Sequence, residues 1–230
     1  MEREHISRIN EAELHEVREK LLEMGGKVEM MINDSIRSLV ERDSALAEQT
    51  IFSYYKINDM VVGIEEKCLN MIATRQSTLQ DLRFITLGMK IVTDLERIGD
   101  LSVGVAKRAL ELIQEPPLKT YIELPRMAHW TAVMVKEALA VFVRCDDELA
   151  LKVCNDSHLI FYQNEQVQRV LLTFMMEDPE TIPHGIKINH ISKCFERIAD
   201  HASKIAEMVM GTETRHPICS VLPFATENGG

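Results

Sequence analysis

The side chains of this chain best placed to do chemistry are those of Glu96-Arg97-Ile98-Gly99-Asp100 and Glu196-Arg197-Ile198-Ala199-Asp200. Each copy of this E-R-I-x-D pattern sets two carboxylates at i and i+4, one above the other on a helix face. Like charges at that spacing repel by about 0.2–0.5 kcal/mol. A divalent cation bridging both carboxylates through hard oxygen ligands would offset the repulsion. An ion pair from Arg97 to Asp100, and from Arg197 to Asp200, three residues apart, would offset it more simply. The two copies differ in setting. Glu96 shares a helical row with Ile85, Met89, Val92 and Val103, where a bare charge is costly. Glu196 shares a row with Asn189, Ser192, Asp200, Ser203 and Glu207, which reads as a solvated face or an acidic site open to solvent. The first copy is therefore the one expected to be unusual.

Other constellations offer less. A di-iron carboxylate bundle needs Glu-x-x-His on two helices. The matches here, Glu2 to His5 and Glu213 to His216, fall at the two chain ends. His129, His158, His184, His190 and His201 read as surface or hydrogen-bonded core residues. No H-E-x-x-H, G-x-G-x-x-G, P-loop or G-x-S-x-G pattern occurs, so zinc-protease, nucleotide and hydrolase readings have no support and a non-enzyme is expected. The net charge of −10 repels phosphate backbones, so no direct nucleic-acid binding is expected. Cys68, Cys145, Cys154, Cys194 and Cys219 form no CxxC pair and read as reduced thiols. The polar start Met1-Glu2-Arg3-Glu4-His5 is not a signal peptide, and no stretch approaches the roughly 20 apolar residues of a membrane span. A cytoplasmic protein is expected.

The elements that must position the acidic pairs are long helices. The chain is 46% hydrophobic but only 5% aromatic, with 10 Gly and 7 Pro in 230 residues. Apolar recurrence at helical spacing runs from Ile6 to Val40, through residues that include Leu21, Val28, Ile32 and Ile36. Gly25-Gly26 interrupts it, as a kink or a close helix contact. Asp43 is a helix N-cap for 44–74. Ser77-Thr78-Leu79-Gln80 has the form of a capping box for a helix over 78–113, ended by Glu115-Pro116-Pro117. Further helices are expected over 124–144, 147–176 and 183–210. A turn at Asp178–Pro183 precedes the last, and Gly211 follows it as C-cap. Phe174-Met175-Met176 read as core.

An internal repeat organises these helices. Asp43-Ser44-Ala45-Leu46-Ala47 recurs as Asp146-Asp147-Glu148-Leu149-Ala150, upstream of the two E-R-I-x-D copies. At the same offset, Met31, Ile32, Ile36, Leu39 and Val40 align with Met134, Val135, Leu139, Phe142 and Val143. Three matches in one order point to duplication. The expected fold class is all-α: two tandem, internally repeated three-helix bundles packed side by side. The first spans 1–115 and the second 118–212, with a loose tail at 213–230.

The chain resembles the PhoU family over roughly residues 5–212. The resemblance is carried by Met24-Gly25-Gly26-Lys27-Val28-Glu29, Arg75-Gln76-Ser77-Thr78-Leu79-Gln80-Asp81-Leu82-Arg83 and Asp94-Leu95-Glu96-Arg97-Ile98-Gly99-Asp100. In the second half it rests on Phe174-Met175-Met176-Glu177-Asp178-Pro179 and Phe195-Glu196-Arg197-Ile198-Ala199-Asp200-His201. It implies a non-enzymatic negative regulator of phosphate uptake and phosphate-dependent signalling. Such a regulator is an adaptor between the ATPase of a phosphate ABC transporter and a sensor histidine kinase, and commonly a homodimer. It also implies iron or another divalent metal ion at Glu96, Asp100, Glu196 and Asp200. The family's further acidic motif, on the second helix of each bundle, falls near Tyr54 and Asn58, and at or just before Ser157 and Phe161. Neither half has a carboxylate pair there, although Asp59, Asp156 and Glu165 lie close by. Ser77 stands where the family often has Pro. The alternatives to the adaptor are a carboxylate bundle with a storage or redox role and a purely structural helical dimer.

Overall fold

The computed structural model describes residues 2–74, 78–116 and 123–211, with side chains from Glu11 onward. Six α-helices follow one another: α1 (Glu2–Glu41), α2 (Ser44–Thr74), α3 (Leu79–Ile113), α4 (Glu123–Arg144), α5 (Asp147–Glu177) and α6 (Ile182–Met210). A 3-10 turn at Pro179–Thr181 leads into α6. Helices α1–α3 form one three-helix bundle and α4–α6 a second. The expected tail at 213–230 lies outside the described residues.

Local chemistry explains the punctuation. Arg42 and Cys145 adopt left-handed backbone, at φ 55° and 53°, and each ends a helix. The next residue in each case is an Asp N-cap. Asp43 Oδ1 accepts from the Leu46 N–H, and Asp146 Oδ1 from the Leu149 N–H, both at 3.0 Å. The repeat is thus visible as backbone geometry as well as sequence. The cap of α3 sits one residue later than the capping-box reading placed it. Thr78 is the N-cap, its hydroxyl accepting from the Asp81 N–H while the Asp81 carboxylate accepts from the Thr78 N–H. An ionised carboxylate is a stronger acceptor than the amide of Gln80, and it also favours the helix N-terminus. Gly211 ends α6 at φ 69°, as a C-cap glycine should.

Gly25-Gly26 makes no break: α1 runs through both. Gly25 is instead a point of close approach. A Cβ there would lie 1.9 Å from Leu139 Cδ1 on α4, whereas one on Gly26 would meet nothing within 4 Å. Contacts between α1 and α4, and between α3 and α6, join the bundles. One continuous apolar core runs through both. Phe84 and Phe142 stack across the joint with centroids 5.5 Å apart. Helices α2 and α5 each pack on only two other helices, so their outer faces stay in solvent. Phe52, Tyr55, Val62, Leu69, Leu159, Tyr162 and Met176 are exposed there. Met176 therefore departs from its core reading. It is 83% exposed, because it lies on the outer face of the last turn of α5.

Candidate functional site

The motif helices α3 and α6 pack against each other, with α2 on the far side of α3 and α5 on the far side of α6; Glu96 and Asp100 lie near Tyr54 of α2, and Glu196 reaches Asn164 of α5. Among the described residues the two pairs do not combine into one group that could hold a metal ion.

In the first copy Glu96 is half-buried and Asp100 exposed. Gly99 packs against the Tyr54 ring of α2, where an added Cβ would lie 3.5 Å from the ring, in ordinary contact. Desolvation raises the Tyr54 phenol pKa, and the nearby Asp100 and Glu96 carboxylates raise it further. One turn along α2, Asn58 Oδ1 is buried without a hydrogen-bond partner.

The second copy reverses the expectation drawn from its row. Glu196 is buried, at 6% exposure, and is not on a solvated face. Its Oε2 accepts from Asn164 Nδ2 of α5. Its Oε1 accepts from Lys193 Nζ at 2.5 Å. Asn164 Oδ1 accepts from the fully buried Ser192 hydroxyl at 2.5 Å. The middle of the row read as solvated, Ser192 and Glu196, is thus a buried hydrogen-bond network with Asn164, while Asp200 and Glu207 at its far end stay exposed. Glu196 and Ser192 can face α5 because each finds a partner there, whereas Asn189 Oδ1, in the same row, is buried without one. The ion pair that forms here is Lys193–Glu196, not Arg197–Asp200. Asp200 keeps contact with solvent, but partial desolvation, and then the Glu196 charge, raise its carboxyl pKa.

Among the described residues, no three His, Cys, Asp or Glu side chains come together in a way that could hold a metal ion. Each acidic pair therefore stands without a third protein ligand of these types. The donors do not amount to a closed protein-lined centre of the kind a tightly held iron requires.

A polar site that sequence reasoning missed lies between the bundles. Asp94, 4% exposed, faces α6 and not α2. Its Oδ1 lies 2.8 Å from His201 Nδ1 and 3.4 Å from Lys204 Nζ. At the other end of the same helix pair, Glu115 binds His184 at 2.9 Å and Lys187 at 2.6 Å, and Arg42 donates to the Ile113 and Glu115 carbonyls. The signal for Asp94 was present, two residues before Glu96. A two-residue step turns a side chain by about 200° on a helix, so Asp94 and Glu96 serve different neighbours.

These features define a class: a duplicated all-α scaffold of two joined three-helix bundles, each with one acidic motif on its central helix, and no catalytic constellation among the motifs read. The PhoU domain model matches residues 21–109 and again 124–209, one match in each bundle. The chain is 41% identical over 217 residues to the phosphate-specific transport system accessory protein PhoU homolog of Pseudomonas putida, covering 92% of this chain and 85% of that protein. It is 33% identical over 216 residues to the phosphate-specific transport system accessory protein PhoU of Escherichia coli K12, covering 92% and 90%. The crystal structure of PhoU from Pseudomonas aeruginosa superposes with a TM-score of 0.84 at 40% identity, over 87% of this chain and 97% of that one. The phosphate transport system regulatory protein PhoU from Streptococcus pneumoniae gives 0.80 at 27% identity, over 90% and 98%. The chain belongs to the PhoU family.

Proposed function

We propose that this protein is a non-enzymatic negative regulator of phosphate uptake and phosphate-dependent signalling in the cytoplasm. It acts as an adaptor between the ATPase of a phosphate ABC transporter and a sensor histidine kinase. The observation that carries this reading is the double family match, one per bundle, with relatives named for phosphate-specific transport aligned over 85% and 90% of their own length. No helix among the described residues is long and apolar enough to cross a membrane, which suits an adaptor that meets its partners from solution. An adaptor works by binding two partner states unequally, and the continuous core joining the bundles lets a contact on one bias the other. The exposed apolar side chains of α2 and α5 supply contact surface, both for partners and for a homodimer.

The acidic pairs enter this reading as adjuncts. Glu96 and Asp100 present two hard oxygens at a water-accessible place. A divalent cation held there would keep most of its waters.

Deletion of the gene, with a reporter on a phosphate-starvation promoter, tests the proposal. Reporter activity in high phosphate is expected to rise on deletion and fall again when the intact chain is restored. An unchanged reporter would refute the regulator. Elemental analysis of the purified protein, beside the variant Glu96→Ala/Asp100→Ala/Glu196→Ala/Asp200→Ala, tests the metal. Stoichiometric iron or manganese lost in the variant would favour the storage or redox alternative.

A further inference from the structure

We infer that the second E-R-I-x-D copy is a cation-independent clamp between α5 and α6, in which the Asn164 amide and the Lys193 ammonium occupy the Glu196 oxygens that a metal would need. This goes beyond the regulatory reading and does not rest on it.

The geometry is specific. Both Glu196 oxygens are engaged, one by Asn164 inside the bundle and one by Lys193 at its rim. Asn164 is itself 2% exposed, and its own carbonyl is satisfied by Ser192. The chain Lys193–Glu196–Asn164–Ser192 therefore closes with a single buried negative charge, matched by one ammonium. An Asp at position 164 would put two carboxylates side by side in a site shut off from water. One would then have to take up a proton, or a cation would have to enter. The amide removes that need by giving a donor in place of a charge. A cation approaching Glu196 must compete with a donor on each oxygen and with the Lys193 charge, and among the described residues no third carboxylate, His or Cys joins Asp200 to help.

The first copy has no such lock. Glu96 is half-buried, Tyr54 faces the motif, and Asn58 Oδ1 is left without a partner. The duplicated halves are therefore chemically unequal at the motif itself: Glu196 has both oxygens engaged, although Gln163 Oε1 and Asn189 Oδ1 elsewhere on α5 and α6 are also buried without a hydrogen-bond partner, and the motif's cation response belongs to the α2–α3 joint.

The test uses the full chain carrying Glu96→Ala/Asp100→Ala, so that only the second pair can respond. Melting is followed in EDTA and in millimolar manganese, with metal content measured after desalting. This protein is expected to bind no manganese and to melt alike in both solutions. Adding Asn164→Ala should lower the melting temperature by roughly 3–10 °C, equally with and without manganese, because Glu196 loses its buried donor. Adding Asn164→Asp instead should create a melting temperature that rises with manganese. If Asn164→Ala fails to fold, Lys193→Gln at the rim serves in its place, with a smaller fall that manganese does not restore. Stoichiometric manganese in the protein that retains Asn164, lost on Glu196→Ala, would overturn the inference. So would an Asn164→Ala protein that melts unchanged, or an Asn164→Asp protein indifferent to manganese.

Discussion

Replacing Gly25 and its neighbour Gly26 in turn by Ala measures how closely the two bundles are pressed together. Both glycines lie in the interior of α1, so both substitutions gain helix propensity, worth about 1 kcal/mol. Gly26 is exposed, and a Cβ there meets nothing within 4 Å. The whole gain should appear, raising the melting temperature by roughly 2–4 °C for a chain of this size. Gly25 is buried, and its Cβ would fall 1.9 Å from Leu139 Cδ1. Leu139 is itself buried at 4% exposure, so its methyl can leave only by repacking α4. Overpacking of this kind costs about 1–3 kcal/mol. The net effect of Gly25→Ala is then a loss of about 0–2 kcal/mol, and the two variants should differ by about 1–3 kcal/mol. Urea denaturation of both, fitted with a shared slope, gives the difference directly. Trimming the obstacle, as Gly25→Ala with Leu139→Ala, should make the pair less costly than the sum of its parts. Equal stabilisation by Gly25→Ala and Gly26→Ala would refute the close α1–α4 contact, and with it the single joined core.

Asp94→Ala removes the acceptor shared by His201 and Lys204 at the α3–α6 joint, and should cost about 2–4 kcal/mol by urea denaturation, with Asp94→Asn costing less. A loss within experimental error would mean the joint is held by apolar contact alone. Burial raises the thiol pKa of Cys68 and Cys194 to about 11, so both should resist iodoacetamide at about pH 8 until the protein unfolds. Cys145 and Cys154, only half-buried, should label before Cys68 and Cys194 by mass spectrometry. Burial also lowers the pKa of His184 below its ordinary value, against the pull of Glu115 and alongside Lys187 and Arg42. The unfolded chain then takes up this proton first as pH falls. The contribution of His184 is whole above about pH 6.5 and is lost as pH drops through the folded value. His184→Gln should therefore soften the acid-side fall in melting temperature, and an identical fall in both proteins would refute the assignment.

The legibility of the sequence was uneven, for reasons that particular residues show. Asp43 and Asp146 announced their helices because capping is local: one side chain, one backbone N–H, three residues apart. The same locality let Thr78-Asp81 outcompete the neighbouring Ser77-Gln80 reading, a choice between near-equal signals that only coordinates resolve. Gly25 and Gly26 look the same in sequence, yet one meets Leu139 and the other meets solvent. Glu196 is the clearest miss. Its row of polar neighbours pointed to a wet surface, and nothing within the helix reveals that Asn164, 32 residues away, covers it.

The sequence by itself determined the six helices, the duplication, the two acidic motifs and the family, because each is written in spacing along one chain. Only the tertiary structure decided which acidic pair is buried, which glycine is a contact, and that Asp94 and not the motif joins the bundles. Burial and ion pairing depend on side chains brought together across helices. A periodicity of 3.6 residues fixes which residues share a face, but not what that face meets.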